Sequence, residues 1–309
     1  MSSFILRRVL LSIPLILGVT IICFTLININ KSDPAEVTLR VNNITVTKEA
    51  IEETRKDLGL DKPLINQYFS WINNLIKGDF GISYESKKPV FDEIIHAFPI
   101  TLYLSLFSLF LIIFFGFIIG ILCALFENSL FDRILRGAIF TTTAIPSFWL
   151  ALLLIYAFAY YYNIFPSNGF EGFDSLVLPS VTLAVTYIST FVRIIRNSII
   201  ETKNSLFMTY AKARGVKKSM LVKHQVRNAI TPFIVALNMS IPKLLAGTVI
   251  IENIFALPGL GRVCVHAIFV RDYPIIQSYV LFMAILFIVF NLIADIWVIK
   301  RDPRLREFN

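Results

Sequence analysis

Charged side chains are scarce in this chain. Asp, Glu, Lys and Arg make up 16% of its 309 residues, where a soluble domain carries about a quarter. Hydrophobic residues reach 56%, and the mean hydropathy is +0.71. Such an apolar surplus does not fit in a water-soluble core, so lipid is the expected solvent. Cysteine is scarce too. Cys23, Cys123 and Cys264 have no metal or redox spacing. The first two fall in apolar runs, where a thiol acts as a small hydrophobe. The chain has no Gly-x-x-x-x-Gly-Lys-Ser/Thr stretch, hence no phosphate-binding loop of that kind. If ATP drives this machine, another chain binds it. Asp79-Phe80-Gly81 matches the kinase magnesium triplet, but the companion lysine, catalytic-loop and glycine-rich signatures are missing. We read the triplet as a turn that ends a helix. The three histidines and the acids are scattered, which argues against a membrane-bound enzyme.

Long apolar runs are what the chain has. About 20 apolar residues cross a bilayer core, and six runs qualify: 9–29, 100–126, 138–162, 176–200, 230–251 and 279–299. The first is too long for a signal-peptide core and lacks a small-residue cleavage site, so it is expected to remain as an anchor. Pro146 and Pro179 interrupt the third and fourth runs, and each frees a carbonyl that neighbouring helices can satisfy.

Lys and Arg outnumber Asp and Glu by 29 to 21. The excess fits membrane topology better than nucleic acid, because no basic folded domain is evident. Arg7 and Arg8, Arg133 and Arg136, the loop at 203–227, and the tail with Lys300, Arg301, Arg304 and Arg306 fall on one side. The loop at 163–175 has no Lys or Arg, and the loop at 252–278 has only Arg262 and Arg271. This asymmetry predicts that both termini are cytoplasmic. Tyr160, Tyr161 and Tyr162 then anchor the outer interface. The segment at 30–99 is external, since long loops translocate largely regardless of charge. It is expected to fold into helices. Thr47 caps the first, which Gly59 closes. Pro63 opens the second, with Leu64, Tyr68, Trp71 and Leu75 at helical spacing and Gly78 at its end. Pro89 opens a third, whose apolar face suits the membrane surface.

The most informative polar stretch is 202–227, which joins the fourth and fifth runs. Ala211, Ala213 and Gly215 sit among Lys212, Arg214, Lys217, Lys218 and Lys223. A short helix through Tyr210 would present a low-relief surface, and Gly215 allows the sharp turn after it. Such a surface suits a groove in a partner. The positive charges suit partner acids or anionic lipid heads. A plain positive-inside loop is the alternative.

At these residues the chain resembles the permeases of binding-protein-dependent ABC importers, and in particular the first permease subunit of the dipeptide, oligopeptide and nickel branch. The coupling loop of that family has an Ala-rich stretch before a glycine. Here its tail departs from the general pattern and carries Gln225, Arg227, Asn228, Ala229 and Pro232, as that branch does. The segment from Leu58 through Gly59, Asp61 and Pro63, then Gly78-Asp79-Phe80-Gly81, Glu252-Asn253-Ile254-Phe255, Pro258-Gly259-Leu260-Gly261-Arg262, Arg271-Asp272-Tyr273-Pro274 and Asp302-Pro303-Arg304 resemble the same branch. Asp33-Pro34-Ala35, Phe80-Gly81-Ile82-Ser83, Phe148-Trp149-Leu150-Ala151 and Ile250 through Ala256 resemble its nickel permease most.

The resemblance implies an all-α membrane protein with about six spanning helices and the type I importer permease fold. Its segments would be an N-terminal spanning helix at 1–30, an external helical segment at 31–98, and a core at 99–309 with the coupling loop at 202–228. The chain would form half of a path for nickel or a metal chelate, with dipeptides or oligopeptides as the alternative cargo. A second, homologous permease would complete the path. Two P-loop ATPases holding ATP and Mg would drive it, and an extracytoplasmic binding protein would deliver the cargo to a prokaryotic inner membrane. Tyr210, Ala211, Ala213, Arg214, Gly215, Arg227 and Asn228 are the implied coupling residues. Lys243, a costly charge inside the fifth run, is a candidate for the path, together with Glu252 and Arg262. No cofactor or metal site in this chain is implied, and Cys264-x-His266 is a weak metal signal. Asp295 is a candidate partner for Arg193 or Arg196. A self-contained channel or secondary transporter is the rival class, but it needs internal repeats or a charged pore ring, and neither is evident.

Overall fold

The computed structural model describes residues 2–29 and 33–301. Asn30 to Ser32 and the tail from Asp302, with its Asp302-Pro303-Arg304 motif and Arg306, lie outside them. The described residues are helical and contain no β-strand. In chain order the helices are α1 (Ser2–Ile29), α2 (Pro34–Val41), α3 (Lys48–Asp57), α4 (Leu64–Ile76), α5 (Val90–Leu125), α6 (Leu130–Ala144), α7 (Ser147–Leu154), α8 (Asp174–Lys203), α9 (Leu206–Ala213), α10 (Lys218–Ile254), α11 (Leu260–Val270) and α12 (Tyr273–Arg301). A π-helical stretch, Ile155–Tyr161, continues α7. Among the described residues, five helices are long and apolar enough to span a membrane, or six if the bent pair of α6 and α7 with its continuation counts as one span.

The third run, expected at 138–162 with Pro146 interrupting it, is the bent pair. Ile145 precedes Pro146 and takes an extended conformation, with φ −83° and ψ 121°, because the proline ring disfavours helical geometry in the residue before it. The two helical halves are consequently bent by 105°. Pro179 lies inside α8, which stays continuous. The external helix expected from Pro89 is also not separate. It continues through Pro99 into the second span as one 36-residue helix, α5, and Asp92 and Glu93 in its first turn favour that helix start. The 37-residue α10 absorbs both the tail of the basic loop and the fifth span.

The external caps form as the sequence suggests. Thr47 accepts a hydrogen bond from the Ala50 amide at 3.2 Å, and Gly59 and Gly78 take φ of +66° and +83° after α3 and α4. Pro63 sits just before α4 rather than inside its first turn. Asp79 accepts from the Gly81 amide at 2.8 Å, which makes the triplet a turn after α4.

The Cα positions divide the chain into two compact units. Among the described residues, the first comprises 2–29, 33–100 and 258–293, and the second comprises 101–257 with 294–301. In the first unit, Val90, Ile94 and Ala97 of α5 pack with Leu260 and Ala267 of α11 and Ile275 of α12. Phe98 and Phe282 meet edge-on at 5.3 Å. The stretch carrying α11 read as an external loop. Its signal was the helical recurrence of Leu260, Val263, Cys264 and Ala267. Arg271 ends α11 in the left-handed conformation, and the adjacent Asp272 accepts from Ser83 Oγ at 2.5 Å and from the Glu85 amide at 3.2 Å. Tyr84 lies between these two residues. Burial pushes its phenol up, and Asp272 and Tyr273 add to the rise.

In the second unit α8 is the central element against which α6, α7 and α10 pack. Glycines let the helices approach closely. A Cβ on Gly120 of α5 would lie 2.7 Å from Cβ of Ile195 in α8. Tyr187 of α8 donates to the Lys243 carbonyl of α10 at 2.8 Å. Phe191 and Phe233 pack edge-on at 5.5 Å.

Candidate functional site

The basic stretch folds into a helix, a tight turn and the start of a second helix. Ser205 precedes α9 in an extended conformation. Met208 is fully buried and pins the helix to the body of its unit. Leu206 and Tyr210 are 78% and 70% exposed, and Phe207 is half exposed beside them. Ala211 and Ala213 leave the remaining relief low. After α9 the Gly215 amide bonds to the Lys212 carbonyl at 3.0 Å, and the Val216 amide reaches the Ala211 carbonyl at 3.2 Å. This pair of bonds is the Schellman arrangement, which needs a left-handed residue at Gly215. Gly215 has φ +76°. Lys217 then leads into α10.

Tyr210, Ala211, Ala213, Arg214 and Gly215 therefore lie together on α9 and its turn. Arg227 and Asn228 lie about three turns into α10, exposed, while Gln225 and Ala229 are buried. Exposed apolar side chains surrounded by Lys212, Arg214, Lys217 and Lys218 form a surface that can bury hydrophobic area and meet carboxylates at its rim.

The second unit holds a further polar construction, centred on an acid that sequence reasoning missed. Asp132 is fully buried. Arg196 donates to both of its carboxylate oxygens, each at 2.9 Å. Arg136 donates at 3.1 Å, and the Asn128 amide also donates at 3.1 Å. Ser129 accepts from the Asp132 amide, so Ser-x-x-Asp caps α6 while its acid holds two arginines. Arg196 therefore pairs with Asp132, not Asp295. Arg133, Arg136, Arg193 and Arg196 line a cavity of about 750 Å³. Lys203 and Glu127 pair at 2.7 Å. The capping pattern at Ser129 and Asp132 was the available signal, but Arg196 is remote in sequence.

Lys243 and Glu252 are not brought together. Lys243 is exposed. Glu252 is fully buried on the same helix and accepts from Thr101 Oγ1 at 2.7 Å. The nine-residue interval turns the two side chains to opposite sides of α10. Arg262 is exposed near the start of α11, in the other unit.

Among the described residues, no group of three or more His, Cys, Asp or Glu could hold a metal ion. Cys264 is buried, whereas His266 is exposed and its Nε2 lies 2.9 Å from Glu85. Residues two apart on a helix point in different directions, so the pair does not converge.

The long apolar helices define the class: a multi-pass membrane protein. The chain belongs to the family of binding-protein-dependent transport system inner membrane components, whose model matches residues 116–307. The model for the N-terminal region of such components matches residues 1–105. The chain is 39% identical to the metal-staphylopine import system permease protein CntB of Staphylococcus aureus, over 99% of both chains. It is 33% identical to the glutathione transport system permease protein GsiC of Escherichia coli, again over 99% of both. A chain of the inward-facing MetNI methionine ABC transporter shares the fold, with a TM-score of 0.57 and 16% identity. That match covers 66% of this chain and 94% of the other. The protein is thus an ABC importer permease of the peptide and nickel branch with the type I fold. Permeases of this kind work with a second permease, ATPases and a substrate-binding protein.

Proposed function

We propose that this chain forms half of the translocation path for a metal chelate or nickel, and that α9 with its turn is the grip of a partner ATPase. The observation that carries the cargo is the full-length 39% identity to a metal-staphylopine permease. The full-length likeness to a glutathione permease keeps peptides as the second reading.

The exposed Leu206, Phe207 and Tyr210 support the grip. A partner that covers them gains hydrophobic contact, and Lys212 and Arg214 steer it. Met208 and the Gly215 turn transmit a pull on that surface to α8 and α10, because both helices join α9 through short connections. Arg227 and Asn228 extend the contact. Two P-loop ATPases holding ATP and Mg supply the work, a second homologous permease completes the path, and an extracytoplasmic protein delivers the cargo. The positive-inside asymmetry supports a cytoplasmic side for both termini and α9 in a bacterium. ATP drives the cycle only if the ATPases bind the inward and outward states with different affinity.

Lys243 is the path residue with an exposed charge inside a span. Glu252 and Arg262 are assigned to the outer part of the path. Uptake of radiolabelled nickel, free and chelated, against labelled peptide in cells with and without this chain tests the cargo. Loss of chelate uptake is the expected result. Loss of peptide uptake with metal uptake intact refutes the metal reading. Lys243→Met at normal expression should lower uptake, and unchanged uptake removes Lys243 from the path. Tyr210→Ala with Leu206→Ala should leave assembly of the two permeases intact while lowering cargo-stimulated ATP hydrolysis. Wild-type stimulation would refute the grip.

A further inference from the structure

Helix α4 contains no charged residue over its 13 positions, although the segment it belongs to reads as external. Its residues sort into three stripes. Leu64, Tyr68, Trp71 and Leu75 recur at helical spacing on one face. Asn66, Ser70 and Asn73 line a polar face. Between them runs an exposed apolar stripe of Ile65, Phe69 and Ile76.

The first stripe fixes the depth of the helix. Tyr68 and Trp71 pack on Phe24 of α1, with ring centroids 5.4 and 6.1 Å apart. The hydroxyls of Tyr68 and Thr20 lie 3.0 Å apart. Both Phe24 and Thr20 belong to the apolar span Leu6–Leu26. At about 1.5 Å per residue, Thr20 lies roughly 9 Å inside the end of that span. The 21-residue span itself is about as long as the hydrocarbon core is thick. A helix bonded to Thr20 therefore has one side at acyl-chain depth. Its apolar stripe continues the exposed surface of α1 at Ile21, Ile22 and Leu26. Between the two helices lies a cleft of about 360 Å³ lined by Ile21, Phe24, Ile29, Leu64, Ile65 and Tyr68.

We propose that α4 is a lipid-inserted helix: its Ile65, Phe69 and Ile76 stripe and its cleft with α1 take the acyl chains of the leaflet at the C-terminal end of α1. Lys62 and Lys77, just outside its two ends, reach the headgroups. The polar face of Asn66 and Asn73 turns to water. The orientation proposed above makes this the outer leaflet, but the depth argument does not need it. Membrane attachment of this kind holds the external segment beside α1 without a second crossing.

The test places nitroxides on the assembled importer in phosphatidylethanolamine and phosphatidylglycerol vesicles. Single substitutions Ile65→Cys, Phe69→Cys and Ile76→Cys are compared with Asn66→Cys and Asn73→Cys. The three native cysteines are buried, and the unsubstituted chain gives the labelling baseline. Collision with oxygen reports lipid, and collision with a water-soluble nickel chelate reports water. The expected result is oxygen collision several-fold above chelate collision at 65, 69 and 76, with the reverse at 66 and 73. Equal chelate access at all five positions overturns the proposal. Exclusion of both probes at 65, 69 and 76 overturns it too, since protein then covers the stripe. Lipid access that the external binding protein abolishes on addition overturns it in favour of a docking site for that protein.

Discussion

Replacing Asp132 by Asn removes one buried charge and leaves the shape of the side chain intact. In the native chain that carboxylate is completely enclosed, and its main partner Arg196 has only 13% of its side chain exposed. Removing one member of a buried ion pair costs about 3–5 kcal/mol, because the other charge stays buried without compensation. Arg136 has 47% of its side chain exposed, so water replaces that contact and its share is below about 1 kcal/mol. Asparagine still accepts one hydrogen bond. The expected cost of Asp132→Asn is therefore near the lower bound, about 3 kcal/mol, or roughly a hundredfold in the unfolding equilibrium. Titration with dodecyl sulfate in mixed micelles, followed by circular dichroism, measures it. Lys203→Ala is the control. It breaks the half-exposed pair with Glu127 and should cost below about 1 kcal/mol. The combined variant Asp132→Asn with Arg196→Gln should lose less than the sum of the single losses, since the second change removes the orphaned charge. A loss for Asp132→Asn no larger than that for Lys203→Ala refutes the reasoning.

Gly120→Ala should cost about 1–3 kcal/mol by overpacking α5 against Ile195. Gly18→Ala, with nothing within 4 Å, should be neutral or stabilising in the same titration. Gly215→Ala forces a side chain into a left-handed turn at about 1–2 kcal/mol, so α9 should become more susceptible to protease while the remaining helices keep their circular dichroism signal. Burial pushes the Cys264 thiol from the ordinary 9.0 to about 12, with Cys23 adding to the rise. Maleimide at pH 8 should therefore leave it unlabelled until the chain is unfolded. Cys264 and Tyr84 both hold their protons more tightly folded than unfolded. Their stabilisation is present below the ordinary values of 9.0 and 10.0 and declines as pH rises through the raised folded values. Alkaline unfolding midpoints should accordingly fall above pH 9 and recover in part on Cys264→Ala.

Local rules carry the sequence-level reading where neighbours in the chain decide the outcome. Apolar run length located the five long apolar helices and the bent pair, because a bilayer core demands about 20 residues per helix. Thr47, Gly59 and Gly78 specified helix ends through bonds to residues a few positions away. Gly215 specified the turn after α9 through its own backbone freedom, and Tyr210 fell on a short exposed helix as its surroundings implied. The exposed helix and turn at 206–215 were legible for this reason: one continuous stretch builds them.

Tertiary structure decided what depends on remote partners. That Pro146 breaks its span while Pro179 leaves α8 continuous is not visible in the two prolines alone. Asp132 became a buried hub only because α8 brings Arg196 to α6, 64 positions along the chain. Residues 258–293 joined the first hundred residues because α11 and α12 cover the apolar face of α5 at Val90, Ile94 and Ala97. The packing of α4 on α1 came from Thr20 and Phe24, more than forty positions from Tyr68. Run length and caps act within a few residues, whereas burial and ion pairing are settled by whichever distant surface arrives.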